Sequence, residues 1–280
     1  MKIKLGFSTC PNDTFMFDAL IHNRIDTEGI TYEVHLADIF HLNQMAQNEE
    51  LDMIKISYNT YGQILDRYQL LDSGSALGHN CGPLLISKDP ISVSEIVEKN
   101  LPVAIPGKNT TAHLLLGYFA PEISNKKEYI FHEIMPAIES GEVAAGVIIH
   151  ENRFTYQDHG LQLIQDLGEY WEGKTGHPIP LGAIVARKSL GEEVIRKLQT
   201  QLFKSVKYAF SYPDASHAYV AQHAQEMDTA VMKSHIELYV NQFSLSLGHE
   251  GINAVKKLMT VGEEMGLFHS GTWEKVTLVS

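Results

Sequence analysis

The strongest constraint on this chain is its rhythm. Through about residue 186, short apolar stretches with strand periodicity alternate with stretches of helical spacing, and that alternation selects an α/β fold. A strand over 3–8 precedes a helix over 14–22, with Asn12 or Asp13 placed to cap it. A half-buried strand over 31–37, a helix over 40–47, a strand over 53–57 and a helix over 60–68 follow. A strand over 84–87 stops at the turn signal Asp89-Pro90. The pattern then restarts: a strand over 102–105, and a helix over 110–119 entered from Pro106-Gly107-Lys108-Asn109. Strands over 129–133 and 144–149 flank a helical turn, and further strands lie over 161–165 and 179–186. Beyond that the chain reads as helical over 191–210, 215–225, 229–240 and 250–259. Interleaved strands and helices imply parallel sheets.

Composition narrows what such a fold can do. The 280 residues carry a formal net charge of -12, which disfavours nucleic acid and anionic membranes as partners. No apolar run approaches the roughly 20 residues of a membrane span. The first residues read as a strand and not as a signal peptide, so the expected location is cytoplasmic. With 2 cysteines there is no disulfide scaffold and no cysteine-rich zinc site. Cys10 and Cys81 are expected to be reduced, and they read as packing or loop residues more than as nucleophiles. The 14 histidines are the one compositional surplus.

Two segments resemble each other. Residues 49–57 and 140–150 each run from an acidic helix end into a short buried strand and stop at a polar residue, Ser57 and His150. Ligands of α/β sheets are met at the carboxyl ends of strands, so both residues are candidates to face a ligand. Lys55 and Ser57 share a strand face, being two residues apart. Thr110 and Thr111 open a helix, where free N–H groups and the dipole favour anions, although plain capping by Thr110 is the alternative.

Several segments together resemble a known family. They are Ser8-Thr9-Cys10-Pro11-Asn12-Asp13-Thr14-Phe15, Lys55-Ile56-Ser57, Gly74-Ser75-Ala76-Leu77-Gly78 and Cys81-Gly82-Pro83-Leu84-Leu85. Pro106-Gly107-Lys108-Asn109-Thr110-Thr111-Ala112 and Ile149-His150-Glu151-Asn152-Arg153-Phe154-Thr155-Tyr156 complete the set. In this order they resemble the 1,4-dihydroxy-6-naphthoate synthases of the futalosine route to menaquinone, through about residue 186.

The resemblance implies a type II periplasmic-binding-protein-like fold. Two α/β lobes are then joined by two crossover segments with a ligand cleft between them. Lobe I is expected over 1–86 and 187–280, including the helical C-terminal part, and lobe II over 87–186. The implied reaction is a carbon–carbon lyase step. It converts cyclic dehypoxanthinyl futalosine, a small-molecule carboxylate, to 1,4-dihydroxy-6-naphthoate and dihydroxyacetone, with no cofactor and no metal. The resemblance makes His150 the proton acceptor, a role that suits an imidazole titrating near operating pH. It makes Lys55, Ile56, Ser57, Thr110 and Thr111 substrate contacts.

Other candidates rest on position. Asn12 and Ser75 lie in loops that can touch the ligand or serve turn chemistry, as does the glycine-rich stretch 78–82. Arg153 and Tyr156 follow His150 at helical spacing, and can orient the base, bind substrate or support the fold. Lys55 suggests a Schiff-base lysine as one reading and an ion-paired or snorkelling lysine as the other. Lys108 reads as solvated. Met227, Met232 and Tyr239 in the helical tail read as core. His-Glu pairs at His132, His150 and His249 lack the second histidine of a zinc-protease motif, and Gly107-Lys108-Asn109-Thr110 lacks the upstream glycine of a phosphate loop. Two other classes compete: a solute-binding protein of the same fold without catalysis, and the related chorismate dehydratase.

Overall fold

The chain opens on β1 (Lys2–Phe7), where Ile3, Leu5 and Phe7 are fully buried while Lys2 and Lys4 face out. This alternation fits a strand with one face on a core. The structure, a computed structural model, describes residues 1–224 and 228–279. Two units divide it: Met1–Gly78 with Pro180–Ser280, and His79–Ile179.

In the first unit, α1 (Pro11–Ile21) begins with Cys10 as its N-cap and Pro11 in the first turn. Proline fits there because its missing N–H costs no helical bond. Asn12 and Asp13, expected as caps, lie inside that turn with their side chains engaged elsewhere. β2 (Thr31–Leu36) pairs in parallel with β1, and α2 (Ile39–Gln47) is capped by Asp38, which accepts from Phe40 N at 2.7 Å. β3 (Met53–Ser57) is buried throughout, pairs in parallel with β1, and runs directly into α3 (Tyr58–Ile64). The helix expected over 60–68 therefore starts earlier and stops at Ile64. Tyr68 instead opens β4 (Tyr68–Leu70), followed by β5 (Ala76–Gly78).

The second unit contains β6 (Leu84–Ser87), α4 (Val93–Glu98), β7 (Val103–Ile105), α5 (Thr111–Phe119) and β8 (Lys126–Glu128). It continues with α6 (Ile134–Glu139), β9 (Ala145–Ile148), α7 (Asn152–Thr155), β10 (Gln162–Asp166) and α8 (Leu167–Thr175). The strand order is β10-β6-β9-β7-β8. The strand expected over 129–133 is not formed. The polar segment Lys126–Glu128 pairs with β7 instead, and Phe131–Glu133 is a 3₁₀ turn leading into α6.

The chain returns to the first unit along β11 (Ile179–Arg187), which pairs antiparallel with β3 and β4. That sheet runs β2-β1-β3-β11-β4, with β5 on β11. The other sheet also carries antiparallel pairs, β6 with β9 and with β10. Both sheets are thus mixed and not purely parallel. β6 belongs to the second sheet and β11 to the first. Both unit boundaries consequently fall several residues before the expected 86/87 and 186/187.

The rest is helical: α9 (Glu192–Ser211), α10 (His217–His223), α11 (Thr229–Tyr239), α12 (Gln242–Leu245) and α13 (Gly248–Glu264). Ile195, Leu198, Leu202, Val206 and Ala209 form one buried stripe of α9 and join Met16 and Leu20 of α1 in the core. Ser205 Oγ bridges the two helices, donating to Met16 O at 2.6 Å and accepting from Leu20 N. Met232 and Tyr239 are buried, as expected. Met227 and Gln225, the expected end of the 215–225 helix, lie outside the described residues. No helix among the described residues is long and apolar enough to cross a membrane.

Candidate active-site residues

In the first unit the candidates gather where β1 and β3 end. Lys55 and Ser57 are both about 95% buried, and Ile56 between them is wholly so. Their alternation puts Ile56 on the opposite face of the strand. Lys55 Nζ donates to Asp13 Oδ1 at 2.9 Å. Asp13 is otherwise filled: Oδ2 accepts from Ser8 N and from Ser8 Oγ at 2.7 Å, and Oδ1 also accepts from Asn12 Nδ2 at 2.9 Å. A charge this buried needs such pairing, because desolvation without it is prohibitive. Ser57 is held by Asn43 of α2, whose Oδ1 accepts from Ser57 N and whose Nδ2 donates to Ser57 Oγ at 3.1 Å.

Asn12 and Ser75 sit in polar networks of the same unit. Asn12 Oδ1 lies 3.0 Å from His235 Nε2 of α11. Ser75 Oγ donates to Gly182 O at 3.2 Å and bonds the buried Tyr58 hydroxyl at 2.8 Å. Asp13, Asn43 and His235 are members of this constellation that sequence reasoning did not nominate. Asp13 stands inside a quoted motif, but its partner is 42 residues away. His235 carried no signal beyond its being one of many histidines.

In the second unit, His150 lies just past the end of β9 with φ +58°. Residues with a side chain rarely adopt this left-handed region, which costs roughly 1–2 kcal/mol. The half-buried imidazole meets the Phe131 ring edge-on, with centroids 4.8 Å apart. Asn152, the first residue of α7, steadies that neighbour by donating from Nδ2 to Phe131 O at 3.3 Å.

Thr110 is the N-cap of α5. Its hydroxyl donates to Gly107 O at 2.7 Å and accepts from His113 N at 3.3 Å. Thr111, equally buried, occupies the first helical position. Lys108 is exposed and pairs with Glu128 at 3.1 Å. Burial holds the His113 imidazole below its usual range, partly offset by its bond to Lys108 O.

Arg153 binds within its own unit. Nη1 donates to Gly82 O at 2.5 Å and Nη2 to Asp166 Oδ2 at 2.7 Å. Asp166 Oδ1 meanwhile caps α8 through Gly168 N and Glu169 N. Gly82 is required for contact: a β-carbon there would fall 2.3 Å from Gly168 Cα. Tyr156 is buried in the core of this unit. The Cys81 thiol is pushed up to about 12 by burial, which keeps it protonated.

In each unit taken by itself, polar side chains collect near strand ends, Lys55 beside Asp13 in the first and His150 past β9 in the second, and strand ends are where α/β proteins meet small ligands. The menaquinone biosynthesis family model matches residues 3–264, and the chain belongs to that family. Two relatives are named 1,4-dihydroxy-6-naphthoate synthase. The one from Thermus thermophilus is 44% identical over 265 residues, 95% of each chain. The one from Streptomyces coelicolor is 44% identical over 270 residues, 95% of this chain and 94% of its own. A solved structure from Archaeoglobus fulgidus superposes with TM-score 0.89 at 32% identity, covering 95% of this chain and 98% of that one. The alkanesulfonate-binding protein SsuA of Xanthomonas axonopodis pv. citri superposes with TM-score 0.72 at 13% identity, covering 99% of this chain and 98% of its own. This last likeness shows the fold alone, which is periplasmic-binding-protein-like.

Proposed function

We propose that this chain is the 1,4-dihydroxy-6-naphthoate synthase of menaquinone biosynthesis. It converts cyclic dehypoxanthinyl futalosine to 1,4-dihydroxy-6-naphthoate and dihydroxyacetone as a carbon–carbon lyase. We place this work in the cytoplasm. The observation that carries the catalytic assignment is the place of His150, a half-buried imidazole just past the carboxyl end of β9 and against Phe131.

In the proposed mechanism the His150 imidazole removes a proton from the spirocyclic skeleton. The electron pair left behind drives cleavage of a carbon–carbon bond, and the three-carbon fragment leaves with that bond's electrons and takes up one proton, which balances the proton held by His150. Aromatisation of the remaining ring supplies the driving force. Thr111 at the start of α5 suits the substrate carboxylate, because the helix N-terminus presents N–H groups and a favourable dipole. In the first unit Lys55 and Ser57 are the proposed substrate contacts. The Asp13 carboxylate on Lys55 Nζ supports an ion-paired lysine and not a Schiff-base one.

The test is turnover of cyclic dehypoxanthinyl futalosine, followed by the absorbance of the aromatic product. His150→Ala and His150→Gly are expected to lose at least about 100-fold in kcat, the usual worth of a general base. The glycine variant should be more stable than the alanine variant by about 1 kcal/mol, since only alanine keeps the left-handed strain. Near-normal turnover by a folded His150→Ala variant would remove the base. No product from the parent chain would remove the synthase reading.

A further inference from the structure

We propose that Asp13 and Gly182 are positioning residues that aim the Lys55 ammonium at the substrate. The inference rests on the reading of Lys55 as a substrate contact.

The donors and acceptors around Asp13 can be assigned without ambiguity. An ionised carboxylate only accepts, so the Asn12 atom facing it at 2.9 Å is the amide nitrogen. Asn12 then presents its oxygen to His235, and the ring nitrogen 3.0 Å away must carry the hydrogen. The donors therefore converge on Asp13 from both sides: His235 donates to Asn12 and Asn12 to Asp13 from the α11 side, and Lys55 donates to Asp13 from β3. All of these residues are at least 95% buried. With Ser8 N and Ser8 Oγ on its other oxygen, Asp13 accepts four bonds and cannot swing to follow the lysine.

Lys55 is the open end of this network. An ammonium has three N–H donors, and among the described residues Lys55 makes one hydrogen bond, to Asp13. Two donors on a group 5% exposed are left for something else. Ser57, on the same strand face, accepts from Asn43 and keeps its own hydroxyl hydrogen uncommitted among the described residues.

Across the ladder, Gly182 pairs with Ser57, so a β-carbon there would emerge on the same face. It would lie 2.8 Å from Lys55 Cε and 3.7 Å from Nζ. The missing side chain is the space through which the lysine stem passes. Asp13 therefore fixes one N–H direction and Gly182 fixes the stem. The two remaining N–H groups and the Ser57 hydroxyl form a donor set for an anionic or carbonyl oxygen.

The experiment compares KM and kcat for Asp13→Asn, Gly182→Ala and Lys55→Met, with thermal melting of each as a folding control. Asp13→Asn turns one carboxylate oxygen into a donor facing donors, and Gly182→Ala pushes the lysine stem aside. Each should raise KM about tenfold or more, the worth of one hydrogen bond to a charged group, with a smaller change in kcat. In a Lys55→Met background, Gly182→Ala should then leave KM unchanged. If Lys55→Met strands the carboxylate and fails to fold, Lys55→Met/Asp13→Asn serves as that background.

Positioning is overturned if Lys55→Met raises KM while Asp13→Asn and Gly182→Ala do not; the substrate-contact reading then stands. It is equally overturned if Gly182→Ala costs the same in both backgrounds, which is what a merely structural glycine would do. An unchanged KM in folded Lys55→Met removes the substrate contact itself, and the positioning role with it.

Discussion

Of the three roles that its place after His150 left open, orienting the base, binding substrate or supporting the fold, the bonds of Arg153 favour support. Arg153→Met keeps most of the stem's bulk and deletes the guanidinium. Two bonds disappear, one to Gly82 O at 2.5 Å and one to Asp166 Oδ2 at 2.7 Å. The side chains of the ion pair are only 16% and 13% exposed, so solvent recovers little of the loss. Breaking a buried pair costs about 3–5 kcal/mol. Asp166 would still accept from Gly168 N and Glu169 N, which holds the cost at the low end, about 3 kcal/mol. At about 2–4 °C per kcal/mol for a chain of this size, the melting temperature should fall by about 6–12 °C. KM for the futalosine derivative, measured well below the new transition, should change less than about twofold, within what a non-contacting residue allows. Arg153→Lys, able to keep one of the two bonds, should lie between. A melting temperature within about a degree of the parent, together with a clearly raised KM, would refute this account and put the guanidinium on the substrate.

The two threonines at the start of α5 should separate. Thr110→Val deletes a cap that both donates and accepts, and should lower stability by about 1 kcal/mol in a denaturant titration. Thr111→Val should instead raise KM with little change in melting, and an unchanged KM would count against the carboxylate role. Cys81 should resist iodoacetamide. Its thiol is raised to about 12, so the thiolate forms only as pH nears that value. Peptide mapping should find Cys81 unlabelled at pH 8 in native protein and labelled after unfolding. Rapid native labelling at pH 8 would contradict its buried, protonated state.

Local pattern carried much of the fold. Met53–Ser57 and Leu84–Ser87 are the strands their apolar runs suggested, because a fully buried strand needs no partner to look apolar. Strand direction was another matter. Nothing within Ile179–Arg187 says that it enters the first sheet antiparallel to β3; that follows from where the chain crosses back. Lys126–Glu128 was invisible as a strand for the same reason, since its only claim to one is its ladder with β7. α8 was missed although Asp166 caps it, because its apolar residues do not repeat on one clear face. At the site, period two put Lys55 and Ser57 on one face. The Asp13 partner was hidden because Asp13 was read, with Asn12, as a candidate cap of α1, whereas Cys10 occupies the N-cap position and Asp13 turns to Lys55.

His150 shows where the fold stops dictating and the chemistry begins. A two-unit scaffold shared at 13% identity with a sulfonate-binding protein constrains strands and core, and leaves the activity open. For folding alone, residue 150, two places past β9, would best be glycine, since φ +58° strains any residue with a β-carbon. The imidazole recovers part of that strain through its edge contact with Phe131, yet glycine would need no such contact. Histidine at that point therefore works against stability by about 1 kcal/mol. On the proposal that His150 takes the substrate's proton, that residue is kept for the reaction and not for the fold.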